Sequence, residues 1–144
     1  MEEKKMDFSA FMADSVDKIE PKDYIASKRF KGADKKPVPW KIRPISQEEN
    51  EALGQECTTT YVTPSGEKKT RADSLRYMTA LIVRCVVYPN LNDSALQSSY
   101  GVVGAEELVK KMLLPGEFID LYNAVSQING FETDMKEKIK TAKN

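Results

Sequence analysis

The sequence predicts a mainly α fold, a small helical bundle with an N-terminal β-hairpin. From Leu75 onward, apolar residues recur every three or four positions, which is the spacing of one face of a helix. The helical stretches are joined by short connections, which favour packing between neighbouring helices. Between Tyr24 and Ile45, two short extended runs flank a polar turn, a pattern typical of a hairpin. A chain of 144 residues is long enough for one such domain.

Residues 1–22 are expected to form a flexible N-terminal tail, followed by a single domain over residues 23–144. The tail contains the apolar group MDFSAFM, in which Phe8, Phe11 and Met12 fall on one helical face. A helix this short is marginal in water on its own. The tail therefore either rests its aromatic side chains on the body of the protein or serves as a short docking peptide for a partner.

The predicted hairpin across Tyr24–Ile45 is strongly basic, with seven Lys and Arg residues against Asp34 alone. Prolines at positions 37, 39 and 44 are expected to confine its second strand to a sheet edge, because proline has no N–H to donate to a ladder. The basic residues then either protect that edge from aggregation or attract an acidic partner.

Trp40, in the same hairpin, has two interpretations. It either anchors the hairpin in the core, as a lone tryptophan commonly does, or provides a stacking platform for a single-stranded base. The whole chain has 22 Lys and Arg against 22 Asp and Glu, whereas phosphate binding relies on a surplus of basic residues. A small nucleic-acid-binding regulator using the basic hairpin around Trp40 is kept as the alternative function.

Helices are predicted over most of the remaining chain from apolar spacing and capping residues. Ser46 and Glu49 form a capping box at the start of the first helix, and Gly101 and Gly130 are suited to end two later ones. The segment between the first two helices is a loop or a second small hairpin. The predicted helices are Ser46–Cys57, Arg71–Tyr88, Ser94–Tyr100, Ala105–Leu113, Pro115–Asn129 and Thr133–Ala142. The second is the central one, with Leu75, Ile82 and Val86 in the core.

The composition argues against most enzyme and metal-site chemistry. The chain has no His, which is the commonest general acid or base near neutral pH and a common zinc ligand. Cys85 lies in an apolar helical pattern and is interpreted as a core residue, and Cys57 as structural or surface. Neither a phosphate-binding loop nor a nucleophile motif is present. We therefore predict no enzyme activity, no cofactor and no metal, in a cytoplasmic protein without a membrane span.

The chain resembles the phage XkdN-like tail assembly chaperones in three segments, YPNLNDSALQSSYGVVGAEELVKKMLLPGEFIDLYNAVSQINGF, VPWKIRPISQEENEAL and MDFSAFMAD. The likeness covers nearly the whole chain and is weakest between Thr58 and Lys69. These chaperones are encoded by contractile-tailed phages and by phage-derived tail elements of Gram-positive bacteria. The motifs are structural, so they identify the family without assigning roles to single residues.

The resemblance implies a non-enzymatic assembly factor, with residues 23–144 as the chaperone domain. Such proteins coat the long helical tape measure protein before the tail tube polymerises around it, keep it soluble, and are absent from the finished tail. The implied partner is the tape measure protein, and the implied location is the host bacterial cytoplasm. A longer form of the chain made by frameshifting, and a homo-oligomer, are left open as further partners. Nucleic acid and membrane are not implied.

Partner-binding residues are expected at helix ends and connections, where apolar side chains are least covered. The stretch from Tyr88 to Leu114 has a surplus of such residues. The alternative is that the same residues close helix caps. The predicted partner-binding set is Phe8, Phe11, Tyr88, Leu91, Tyr100, Val102, Val103 and Leu114.

Overall fold

The computed structural model describes residues 7–131. Of these residues, 42% are helical and 17% lie in strands or in the isolated bridge between Lys31 and Pro37, and the strands form two antiparallel sheets. The prediction of a mainly α bundle is therefore wrong, and the fold is mixed. In chain order the elements are a short 3-10 turn Ser9–Phe11, β1 Lys22–Tyr24, β2 Trp40–Ile42, α1 Gln47–Glu56, β3 Thr58–Val62, β4 Lys68–Ala72, α2 Ser74–Cys85, β5 Val86–Tyr88, α3 Ser94–Ser99, α4 Ala105–Met112 and α5 Pro115–Ile128.

The largest error concerns the predicted helix Arg71–Tyr88, of which only the middle is helical. The Asp73 carboxylate caps α2 by accepting a hydrogen bond from the Arg76 N–H at 3.1 Å. Strand β4 lies immediately before this cap and strand β5 immediately after the helix. Because periodicity does not separate strand from helix in a short apolar run, the run Val86–Tyr88 was assigned to the helix.

The predicted hairpin is confirmed in part: β1 pairs with β2, with Tyr24 opposite Trp40, but β1 ends at Tyr24, where the first predicted extended run begins. Its second strand is not at an edge, however, because β5 pairs with the other side of β2 and places Tyr88 opposite Lys41. The three prolines lie outside the three-residue strand β2. They therefore remove no donor from its ladder, and β2 is the central strand of the sheet.

The segment between α1 and α2 is a second hairpin, which was one of its two predicted forms. Strands β3 and β4 pair from Thr58 opposite Ala72 to Val62 opposite Lys68. In the turn, Gly66 has a φ of +87°, which glycine adopts without steric strain. The residues of both strands are exposed, so this hairpin stands outside the core.

The core is built around the second half of α2, where Leu81, Ile82 and Cys85 are fully buried. Helices α1, α4 and α5 pack against α2, and β2 supplies Trp40 and Ile42 to the same cluster. The other fully buried side chains of the core come from the three packing helices: Leu53, Leu108, Val109, Leu121 and Val125.

The predicted core positions of α2 have different outcomes. Ile82 is buried as predicted, and Val86 is buried but lies in β5 instead of the helix. Leu75 is 76% exposed, so its assignment to the core is wrong. Among residues 7–131, no other element covers the first turn of α2 on this face, which leaves Leu75 beside a groove described below.

The other predicted helices within the described residues agree with the structure to within one residue at each end. Their ends are set locally. The Ser46 hydroxyl accepts a hydrogen bond from the Glu49 N–H at 3.1 Å, and Gly101 and Gly130 end α3 and α5 with positive φ. The predicted helix Thr133–Ala142 lies outside the described residues.

Residues 7–21, which we call the N-terminal segment, precede the sheet and are exposed along their whole length. The chain joins the sheet at Lys22. Five large apolar side chains of this segment face water: Phe8, Phe11, Met12, Val16 and Ile19.

Candidate functional site

A groove of about 690 Å³ opens between the first halves of α2 and α5 and one side of α4. We call it the main groove. Leu75 and Met78 line it from α2, and Phe118 and Ile119 line it from α5. Leu113 and Pro115, at the junction of α4 and α5, complete its apolar lining.

The apolar lining of the main groove is in part open to water. Leu75 and Ile119 are exposed, while Met78 and Phe118 are half-buried. Covering apolar side chains removes their surface from water, which stabilises a complex by about 25 cal/mol for each Å². The main groove can therefore bind an apolar partner segment.

Charged residues of both signs border the main groove. On α4, the Lys110 ammonium lies 2.9 Å from the Glu107 carboxylate, and Glu106 lies beside them. On α2, Asp73 caps the helix and Arg76 follows it. Since the two signs nearly balance, the rim exerts little long-range attraction on a charged partner, and apolar contacts would dominate binding.

A second groove, of about 400 Å³, lies between the loop 25–39, the end of the β2–β5 pair and α3. We call it the aromatic groove. The Phe30 ring stacks on Trp40 with 5.9 Å between ring centroids, and the Arg29 guanidinium lies 5.4 Å from the Phe30 centroid. The remaining lining residues are Lys31, Val38, Tyr88, Pro89, Leu96, Tyr100 and Met112.

Arg29 connects the aromatic groove to the start of α5. Its guanidinium donates hydrogen bonds to the Met112 carbonyl at 2.8 Å and to the Glu117 carboxylate at 2.9 Å. Hydrogen bonds from the Ser27 hydroxyl, Arg29 and the Leu114 N–H lower the pKa of Glu117 to about 2. The carboxylate is thus ionised near neutral pH and holds the loop 25–39 against α5.

Trp40 does not provide the stacking platform that was one of its two predicted roles. Trp40 is 2% exposed and belongs to the core, which confirms its interpretation as an anchor. Two of the basic residues also have acidic neighbours, since Lys41 lies 3.4 Å from Asp23 and Arg43 lies 3.9 Å from Glu49. A base could reach the Trp40 ring only if that ring left the core.

The structure does not bring all of the predicted partner-binding residues together in one surface. Tyr88 and Tyr100 line the aromatic groove. Val103 is 91% exposed and lines a smaller pocket beside α1, α2 and α4. Leu114 is exposed at the cap of α5, next to Pro115 of the main groove.

The four other predicted residues differ in exposure. Phe8 and Phe11 are exposed in the N-terminal segment. Leu91 is 2% exposed and packs in the core, and Val102 is half-buried against that core. Leu91 therefore offers no surface to a partner in this conformation.

Sequence reasoning did not identify the main groove. It places Leu75 in the core, an assignment that the periodicity of α2 supports. One available signal was Ile119, an apolar residue directly after Phe118 and about 100° away from it around the helix axis. An apolar side chain off the buried stripe of a helix is a candidate for partner contact.

Both cysteines are buried free thiols. Burial raises the pKa of the Cys57 and Cys85 thiols, which disfavours the nucleophilic thiolate. Among residues 7–131, no three His, Cys, Asp or Glu residues are grouped so that they could hold a metal ion. Within the same residues, none of the helices combines the length and the apolar character that crossing a membrane requires.

Comparisons with known proteins agree with one another. The model of the phage XkdN-like tail assembly chaperone proteins matches residues 8–143. The chain is 31% identical over 144 residues to the uncharacterized protein YqbN of Bacillus subtilis (strain 168), spanning 99% of this chain and 96% of that protein. It is 29% identical over 140 residues to the phage-like element PBSX protein XkdN of the same organism, spanning 96% and 94%. A crystal structure of the protein yqbn matches with a TM-score of 0.77 at 26% identity, over 90% of this chain and 100% of that one.

Proposed function

The chain belongs to the family of phage XkdN-like tail assembly chaperones, and from this we propose that it binds the tape measure protein of its tail and keeps it soluble during assembly. The membership covers nearly all of the chain. A chaperone of this kind acts by covering apolar surface, so the proposal needs an apolar binding surface and no catalysis.

The main groove is the observation that carries the proposal. A long helical partner presents apolar side chains at every third or fourth position, and an open groove between helices is suited to receive such a stripe. We infer that Leu75, Phe118 and Ile119 contact this stripe while the charged rim stays in water. Leu114, beside Pro115, would extend the contact at one end.

The size of the main groove favours reversible binding. A groove of about 690 Å³ receives only a short length of a long helix, and small interfaces are weak. Many copies along one tape measure protein would then keep it soluble together, and each copy could leave as the tube forms. We place this activity in the host bacterial cytoplasm and expect the chain to be absent from the mature tail.

The proposal is tested by co-expressing the chain with the tape measure protein encoded in the same phage or prophage. We expect the tape measure protein to move from the pellet to the soluble fraction and to co-purify with the chain. If the soluble fraction is the same with and without the chain, the proposed function is wrong.

The main groove is tested separately by Leu75→Asp and Ile119→Asp. Asp is well tolerated at Leu75, because a negative charge in the first turn of a helix is stabilised by the helix dipole. Val62→Asp is the matched control, since Val62 is also an exposed apolar residue but lies on the outer hairpin. We expect loss of the soluble complex for both groove variants, with circular dichroism unchanged, and no loss for Val62→Asp.

The same assay also tests the residues first predicted for binding. If Val103→Asp abolishes the complex while both groove variants retain it, the partner binds beside α1 and α4 and the main groove is not the site. Salt provides an independent check, because binding at the nearly neutral main groove should change little with ionic strength.

A further inference from the structure

The N-terminal segment has the pattern of an amphipathic helix, although only Ser9–Phe11 are helical in the structure. If residues 8–19 formed one helix, Phe8, Phe11, Met12, Val16 and Ile19 would fall within about 140° of its circumference, at 100° for each residue. All five side chains are exposed in the structure. The segment therefore carries an apolar face that its own domain does not cover.

The opposite face of this helix would be acidic. Within residues 8–19 the charged residues are Asp14 and Asp17 against Lys18, and Asp7 and Glu20 flank the two ends. A helix of about twelve residues is marginal on its own in water, so a surface that covered the apolar face and attracted the acidic one would stabilise it. The chemistry required of that surface is apolar, aromatic and basic.

The aromatic groove has this chemistry. Its lining combines the Phe30, Tyr88 and Tyr100 rings with the exposed Lys31, while Arg29 is already paired with Glu117. Residues 28–36, which include its basic wall, contain five Lys and Arg residues against Asp34 alone. The main groove is less suited, because its lining contains three acidic and two basic residues.

The position of the N-terminal segment favours binding to the aromatic groove of a second copy over binding to the aromatic groove of its own domain. The chain enters the sheet at Lys22, opposite Ile42, whereas the aromatic groove lies at the other end of β2, beside Trp40. Pro21 restricts Glu20 to an extended conformation. The segment therefore leaves the sheet at the end of β1 opposite to the aromatic groove of its own domain.

We propose that residues 8–19 of one copy bind as a short helix in the aromatic groove of a second copy. Reciprocal exchange of the two segments closes a two-fold dimer. This inference goes beyond the proposed function and does not rest on it, because it concerns contact between copies of this chain and leaves the main groove open.

The proposal is tested by sedimentation velocity of the purified full chain over a range of concentrations. A contact of this size is expected to have a dissociation constant of about 1–100 μM. The dimer should weaken as salt is raised, since opposite charges contribute to it. If the wild-type chain is a monomer at concentrations well above this range, the proposal is overturned.

Two variants locate the contact. Phe8→Asp combined with Phe11→Asp alters the segment, and Tyr100→Asp alters the groove; all three side chains are exposed, so folding should persist. Each variant should raise the dissociation constant at least about tenfold, as loss of a buried aromatic anchor does. Val62→Asp is the control and should dimerise as the wild type does. A dimer that neither variant weakens would show that another surface joins the copies.

Mixing the two variants separates exchange between copies from docking within one copy. The Tyr100→Asp chain retains an intact segment and the Phe8→Asp, Phe11→Asp chain retains an intact groove, so the mixture can form one of the two contacts. We expect heterodimers in the mixture at concentrations where each variant alone is monomeric. A mixture that stays monomeric contradicts the proposal. The Leu75→Asp variant should dimerise normally, so a failure of the main groove does not affect this result.

Discussion

Leu75 and Ile82 lie two turns apart on the same face of α2 and have opposite surroundings. Ile82 is fully buried in the core cluster, while Leu75 lines an open groove. Both belong to one continuous apolar stripe with the spacing of a helix. The stripe extends beyond the elements that cover it.

This difference shows how one helix face can serve both folding and binding. The second half of α2 contributes to the stability of the domain, because its side chains are removed from water on folding. The first half keeps apolar side chains in contact with water, and these gain free energy only when a partner covers them. Substitutions in the two halves should therefore separate stability from binding.

The largest effect is expected for Ile82→Ala in the buried half. Removing the larger side chain from a fully buried site should lower the free energy of unfolding by about 2–5 kcal/mol, through lost burial and the cavity that remains. Urea unfolding followed by circular dichroism measures this change. If the loss is below about 1 kcal/mol, the surroundings of Ile82 collapse readily and the core is less rigid than its burial indicates.

The two halves of α2 also show which features of the fold can be predicted from local sequence patterns. The ends of α1, α3 and α5 were predicted closely because Ser46, Gly101 and Gly130 act on groups a few residues away. Strand β5 was not predicted, because its pairing partner β2 lies more than forty residues earlier in the chain. The mixed fold depends on that distant pairing, so local periodicity could not reveal it.

The candidate site shows the same limit. The sequence identified exposed apolar residues such as Phe8, Phe11 and Val103, since each lies in a tail or a connection. It could not identify Leu75 as exposed, because its position on the helix face is the same as that of a core residue. Only the packing of neighbouring helices decides where a stripe leaves the core.

A smaller effect is expected for Asp73→Ala, which removes the N-cap at the groove end of α2. Loss of such a cap costs about 0.5–2 kcal/mol, and thermal unfolding would report it. Asp93→Ala is the matched control, because the Asp93 carboxylate caps α3 in the same way as Asp73 caps α2. It accepts a hydrogen bond from the Leu96 N–H at 2.8 Å. Helix α3 contains no buried residue, so it can fray without the core. If Asp73→Ala and Asp93→Ala lower the free energy of unfolding by the same amount, the groove end of α2 is no more coupled to the core than α3 is.

The pH dependence of stability tests the groove end of α5. The pKa of Glu117 is lowered from its ordinary value of 4.5 to about 2 in the folded chain. The ionised Glu117 therefore makes its full contribution to the free energy of unfolding above about pH 4.5, and this contribution is lost as the pH falls towards 2. We expect about 1 kcal/mol or less, because the partner Arg29 is half exposed. In Glu117→Gln, unfolding curves across this interval should depend less on pH; an unchanged dependence would assign the effect to other carboxylates.

The smallest effect on stability, and the clearest separation of the two halves, is expected for Leu75→Ala. An exposed leucine loses little packing on truncation and alanine favours the helix, so the free energy of unfolding should stay within about 0.5 kcal/mol of the wild type. The same change removes part of the main groove wall, so less tape measure protein should co-purify with the chain. Stability and binding would then move independently on one helix face. A Leu75→Ala chain that unfolds as readily as Ile82→Ala would show that the first turn of α2 belongs to the core after all, and the distinction between the two halves would be lost.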